Sequence, residues 1–125
     1  MDQDRGPAQH SDDAAEAVRQ LNHATLSTSA YPYPGEASKT VLGFIDMLNR
    51  LPQSLDQLAA GLRALEGRGG IVMDDGSEVS EQVSIVLRSL LNAKEALSTA
   101  RGALQEASTP LFHMGGVLAD GDDAV

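Results

Sequence analysis

The sequence predicts an all-α fold: a long antiparallel, coiled-coil-like helical hairpin with a shorter N-terminal helix, together a three-helix bundle. Three observations predict it. Val41, Phe44, Leu48, Leu51, Leu55, Leu58, Leu62 and Leu65 recur at alternating three- and four-residue steps, the spacing that gathers side chains on one helix face. Val79, Val83, Val86, Leu90, Ala93, Leu97, Ala100, Leu104, Ala107 and Leu111 repeat the rhythm. Aromatic residues make up only 3% of the 125 residues and Trp is missing, so a core must be built from Leu, Val and Ala, which suits closely packed helices.

Residues 1–10 are polar, include Gly6 and Pro7, and read as a disordered acidic arm. A bundle domain is expected over 11–114. Ser11 is the expected N-cap of the first helix, with Asp12 and Asp13 where carboxylates favour the positive helix end. Ala14, Val18, Leu21 and Thr25 share one face of it through about Thr28, but that face is small and weakly apolar, so this helix depends on docking.

Tyr31, Pro32, Tyr33, Pro34 and Gly35 break the chain, because each proline biases its predecessor away from helical dihedrals. The two tyrosine rings are expected to cover an end of the bundle; an exposed proline-rich docking peptide is the other reading. The second helix is expected from Glu36 to about Leu65. Pro52 interrupts it at a cost of about 3 kcal/mol for an interior proline. Since Leu48, Leu51, Leu55 and Leu58 keep their phase across it, one kinked helix with Pro52 on the flank of the stripe is favoured over two helices in line.

Glu66 to Ser77 reads as a loop, opened by Gly67, Gly69 and Gly70 and closed by Asp74, Asp75 and Gly76. Ile71, Val72 and Met73 inside it are too apolar for an idle loop, so they either fold back or offer a small sticky surface. The third helix is expected from Ser77, with Glu78 and Glu81 in its first turn, to about Ser108 before Pro110. Ala93, Ala100 and Ala107 stand seven residues apart, which lets a neighbouring helix come close. Antiparallel folding is expected to set Leu65 near Val79, Leu58 near Val86, Leu51 near Ala93 and Phe44 near Ala100. Ile85, Leu87 and Leu91 fall outside the stripe and need another cover. Leu111, Phe112, Met114, Val117 and Leu118 read as a docking segment, with 115–125 a flexible acidic tail after the break at Gly115 and Gly116.

Eighteen acidic residues against nine basic ones give a net charge of −9, which repels phosphate backbones and anionic membranes within a Debye length of about 8 Å. Arg50, Arg63, Arg68, Arg88, Lys94 and Arg101 are scattered rather than forming the basic stripe that DNA binding wants. With no cysteine, disulfides and thiolate chemistry are excluded. His10, His23 and His113 are too far apart for a metal motif, and Asp74-Asp75-Gly76 lacks the remaining ligands of a calcium loop. The glycines around Arg68 end a helix instead of opening one, so they do not form a phosphate loop, and no Gly-x-Ser-x-Gly elbow occurs. No cofactor is implied. The opening residues Asp2, Asp4 and Arg5 do not resemble a targeting segment, and no apolar run approaches the roughly 18 residues of a membrane span, so the expectation is a soluble cytoplasmic protein.

A helical hairpin of this size resembles the small secreted partner proteins of the WXG family, although Gly67, Arg68 and Gly69 stand at the bend without the tryptophan. The stretch from Tyr31 to Leu65, with its tyrosine-proline entry and the Leu51, Pro52, Gln53, Ser54, Leu55, Asp56, Gln57, Leu58 segment, is similar to small helical proteins of actinobacterial plasmids and integrative elements. That resemblance implies an accessory role in a mobile element and carries over no active site. The residues themselves point to a non-enzymatic interaction or oligomerisation module whose partner is a protein or a second copy. Its candidate interface is Ile85, Leu87, Leu91, Ile71, Val72 and Met73. A DNA-associated regulator and a WXG-like partner protein are the alternatives.

Overall fold

The computed structural model describes residues 5–117. The remainder of the expected arm, residues 1–4, and of the tail, residues 118–125 with Leu118, lie outside the described residues. Within them the regular elements are all helical: α1 at Pro7–Ala24, a 3-10 turn at Thr28–Ala30, α2 at Pro34–Gly67 and α3 at Val79–Phe112. The chain divides into two compact units, Met1–Ala37 with Gly115–Val125, and Ser38–Met114. Residues 11–37 of the expected 11–114 domain thus fall in the first unit and the rest in the second.

In the first unit α1 starts earlier than Ser11. Gly6 is the N-cap in extended conformation, and Pro7 takes the first helical position, where its missing N–H is no loss and its fixed φ is already helical. Ser11 is therefore inside the helix, its hydroxyl donating to the Ala8 carbonyl at 2.9 Å. Arg5 pairs with Asp13 across the first turns. Further on, Arg19 donates two hydrogen bonds to Glu16, at 2.9 and 2.7 Å, and this guanidinium, with Gln20 second, holds the Glu16 carboxyl below its ordinary pKa. No residue of α1 is buried, and Val18 on the expected apolar face is exposed. Beyond it Ser27 accepts from the Ser29 amide and nucleates the 3-10 turn. Tyr33 is exposed; its ring touches the site of a side chain at Gly35, and its Cβ that at Gly116.

The second unit is a hairpin. α2 and α3 pack antiparallel, tied by Lys94 Nζ donating to Asp56 at 2.9 and 3.1 Å and by Arg101 Nη1 donating to Asn49 at 3.1 Å. These two ties lie seven residues apart on each helix, so one register satisfies both. It sets Leu51 level with Thr99 and Leu58 level with Asn92, each one residue from the alanine layer at Ala100 or Ala93, and six residues further along α3 than expected.

α2 runs through Pro52 as a single helix. It ends in a Schellman turn: Gly69 has φ +70°, the Gly70 amide donates to the Leu65 carbonyl at 2.8 Å and the Gly69 amide to the Glu66 carbonyl at 3.0 Å. α3 starts at Val79, with Glu78 as N-cap. Ser77 is not its cap, because its amide and hydroxyl both donate to Asp75, which pulls the residue into the turn and holds the Asp75 carboxyl below its ordinary pKa, the hydroxyl being the larger cause. α3 also continues past Ser108 to Phe112. Pro110 deletes one hydrogen bond in the last turn, where the hydroxyls of Ser108 and Thr109 already donate to the Gln105 carbonyl. The expected docking segment does not dock as a whole: Leu111 is half-buried, whereas Phe112, Met114 and Val117 are exposed.

Candidate interaction surface

One covered row of α2 is Val41, Phe44, Leu48, Pro52, Leu55, Ala59, Leu62 and Glu66, with Ile45 and Leu65 half-buried beside it; that of α3 is Val79, Val83, Leu87, Leu90, Lys94, Leu97, Arg101, Leu104, Ser108 and Leu111, with Gln82, Ala93 and Gly102 half-buried beside it. Both rows keep the three-and-four rhythm and depart from the expected stripes by one residue at alternate positions. Pro52 is therefore in the seam, not on its flank, and Leu87 has exchanged places with Val86. On α2 this shift brings the smaller Pro52 and Ala59 into the seam, and on α3 it brings in Lys94 and Arg101, whose heads reach Asp56 and Asn49. Ala59 lets the helices approach, and it and Val83 are the buried hydrophobic residues among those described, at 9% and 6% exposure.

The two flanks of the seam differ in chemistry. Because the helices run antiparallel, the residue following a covered position falls on the same side of the hairpin on both. That side holds a groove of about 430 Å³ in which Asp56 and Arg63 of α2 face Leu87, Arg88 and Leu91 of α3. Lys94 crosses it to Asp56. Residues preceding the covered positions define the other side. On α2 they are Thr40, Gly43, Met47, Leu51, Ser54, Leu58 and Gly61; on α3, Gln82, Val86, Ser89, Ala93, Ala96, Ala100, Ala103 and Ala107. None carries a charge, over about 21 residues of α2 and 25 of α3, or roughly 32 and 38 Å at 1.5 Å per residue.

Four large apolar side chains stand out on this uncharged face, Met47 at 42% exposure, Leu51 at 43%, Leu58 at 51% and Val86 at 42%, while Leu42 and Leu91, at 52% and 53%, stand out on the groove side. On the uncharged face the leucines lie on α2 and the alanines on α3. Along α2 the outer edge carries Lys39, Asp46 and Arg50, whereas on α3 Arg88 and Glu95 directly follow the covered Leu87 and Lys94 and so flank the groove. Arg50 is held by Asp46 at 3.2 Å.

The residues expected from sequence are spread out. Leu91 is exposed at the groove, Leu87 is half-buried in its wall, and Ile85 is exposed on the outer edge of α3 beside Val86. In the loop, Ile71 and Met73 are half-buried and Val72, between them, is 89% exposed, so the three alternate instead of forming one patch. Leu51 and Leu58, expected in the seam, are exposed instead, and Met47 belongs to neither expected stripe. The signal was available in the uninterrupted lack of charge one step round from the seam, which a buried seam does not require.

Among the described residues no group of three or more His, Asp or Glu side chains could hold a metal, and no helix is long and apolar enough to cross a membrane.

No family model, curated protein or solved structure matches this chain.

Proposed function

We propose that the protein is a non-enzymatic interaction module that works by laying the uncharged face of the α2–α3 hairpin against another protein surface. One observation carries this reading: the hairpin's described residues include only two buried hydrophobic ones, Ala59 and Val83, while four large apolar side chains stand 42–51% exposed in a charge-free strip. A strip of that kind is stabilised by removing it from water, at about 25 cal/mol per Å² of apolar area. The accessory role in a mobile element implied by the resemblance is compatible with such a module and adds no contact residue to it. A DNA-associated role has weaker support, because the strip is apolar and the net charge is −9.

The test is comparative capture. Wild-type protein and the Leu51→Glu/Leu58→Glu variant, both shown to be helical, are immobilised and exposed to extract of the native host and to the chain itself. The wild type is expected to retain binding proteins, its own chain counted among them, that the variant loses. Identical retained sets overturn the reading, and so does salt-sensitive retention of duplex DNA by the wild type.

A further inference from the structure

Resting on the reading of the uncharged face as a binding surface, we infer that its occupant is a second copy of this chain, packed about a two-fold axis parallel to the helices to give a four-helix bundle. The face is complementary to itself in that one geometry. Rotation about such an axis keeps every residue at its own level and lays α2 of one copy over α3 of the other, so Leu51 meets the partner copy's Ala100 layer and Leu58 its Ala93 layer, large against small. All neighbouring helices then run antiparallel, as in an up-and-down bundle.

A two-fold axis across the helices instead stacks α2 on α2, leucine on leucine, and α3 on α3, alanine on alanine. Area is adequate: a strip about 30 Å long and two helices wide, about 20 Å, amounts to about 600 Å² per copy and about 1,200 Å² in all, the lower bound for a stable association. For a chain of net charge −9, a face without charge is also where like-charged copies repel least.

The chain has no cysteine, so single cysteines report contacts cleanly. Leu58→Cys and Ala93→Cys are made separately, and each is oxidised alone and then mixed with the other. The expected result is a covalent dimer on mixing and little from either variant alone, with sedimentation equilibrium of the wild type giving twice the chain mass. Leu58→Glu is expected to weaken the dimer by about 100-fold while leaving the helical signal in place, and Leu91→Glu, on the groove side, to leave it unchanged. A wild type that stays monomeric at about 100 μM overturns the self-pairing, leaving the interaction reading to be decided by the capture comparison. Cross-linking of Leu58→Cys to itself overturns the axis, and equal weakening by Leu58→Glu and Leu91→Glu overturns the choice of face.

Discussion

Lys94 and Asp56 meet across the hairpin, the ammonium within 2.9 and 3.1 Å of both carboxylate oxygens, and this contact fixes the register of α2 against α3. Its role is selection more than strength. With the side chains 35% and 60% exposed, a double-mutant cycle of Lys94→Ala and Asp56→Ala is expected to give a coupling of about 0.2–1 kcal/mol, shrinking with added salt. A coupling of zero at low salt would remove the contact from the solution structure.

The seam should be sensitive where it is closest. Val83→Ala deletes two methyl groups from one of the buried sites and is expected to cost about 1–2.5 kcal/mol, and Ala59→Leu forces bulk between the helices at about 1–3 kcal/mol. Urea unfolding at one fixed protein concentration is the measurement, since self-association would make stability concentration-dependent.

Gly69 closes α2 at φ +70°, where a side chain is strained and no other group crowds the site. Gly69→Ala is expected to cost about 1–2 kcal/mol in thermal or urea unfolding. Gly67→Ala, with an ordinary helical backbone and open space around it, is expected to be neutral or slightly stabilising.

Pro52 withholds one backbone hydrogen bond from the middle of α2. Pro52→Ala restores the donor but gives up part of a half-buried contact, so a net gain of about 1–2 kcal/mol is expected. A melting temperature that falls instead would mean that the proline ring is needed in the seam.

Asp75 takes both donors of Ser77, and its pKa lies below the ordinary aspartate value of about 3.9. The sign follows from the depressed folded-state pKa: its contribution is present above the unfolded-state value and is lost as pH falls through the folded-state value. In a carboxylate titration followed by NMR, Asp75 is expected to protonate after an ordinary exposed aspartate as acid is added, and Ser77→Ala to move it back up.

Helix number and type were legible because Leu48, Leu55 and Leu62 on α2 and Val83, Leu90 and Leu97 on α3 repeat without a break. The one-residue shift of the seam was not. Leu51 and Leu58 are more apolar than Pro52 and Ala59, and Ala93 and Ala100 more than Lys94 and Arg101, so hydrophobicity alone puts them inside; the Lys94–Asp56 and Arg101–Asn49 ties exist only when both helices are present. Element ends moved for local reasons: Pro7 is better suited to a first helical position than to an arm, and Asp75 competes successfully for Ser77. For the interaction surface, hydrophobic pattern points to Leu87 and Leu91 and says nothing of Leu51 and Leu58, which are also exposed, because a wide apolar stripe looks the same whether its edge faces a neighbour or water.

Ala59 and Val83 both lie toward the turn, so α2 and α3 are held most firmly near Gly69, while the far end, from Ser38 and Leu42 to Ser108 and Phe112, is fastened by partly covered side chains alone. Such a hairpin frays from one end. Amide hydrogen exchange should then be graded along both helices, fastest around Leu42 and Phe112 and slowest beside Ala59 and Val83, so that a zipper-like opening takes the place of an all-or-none one.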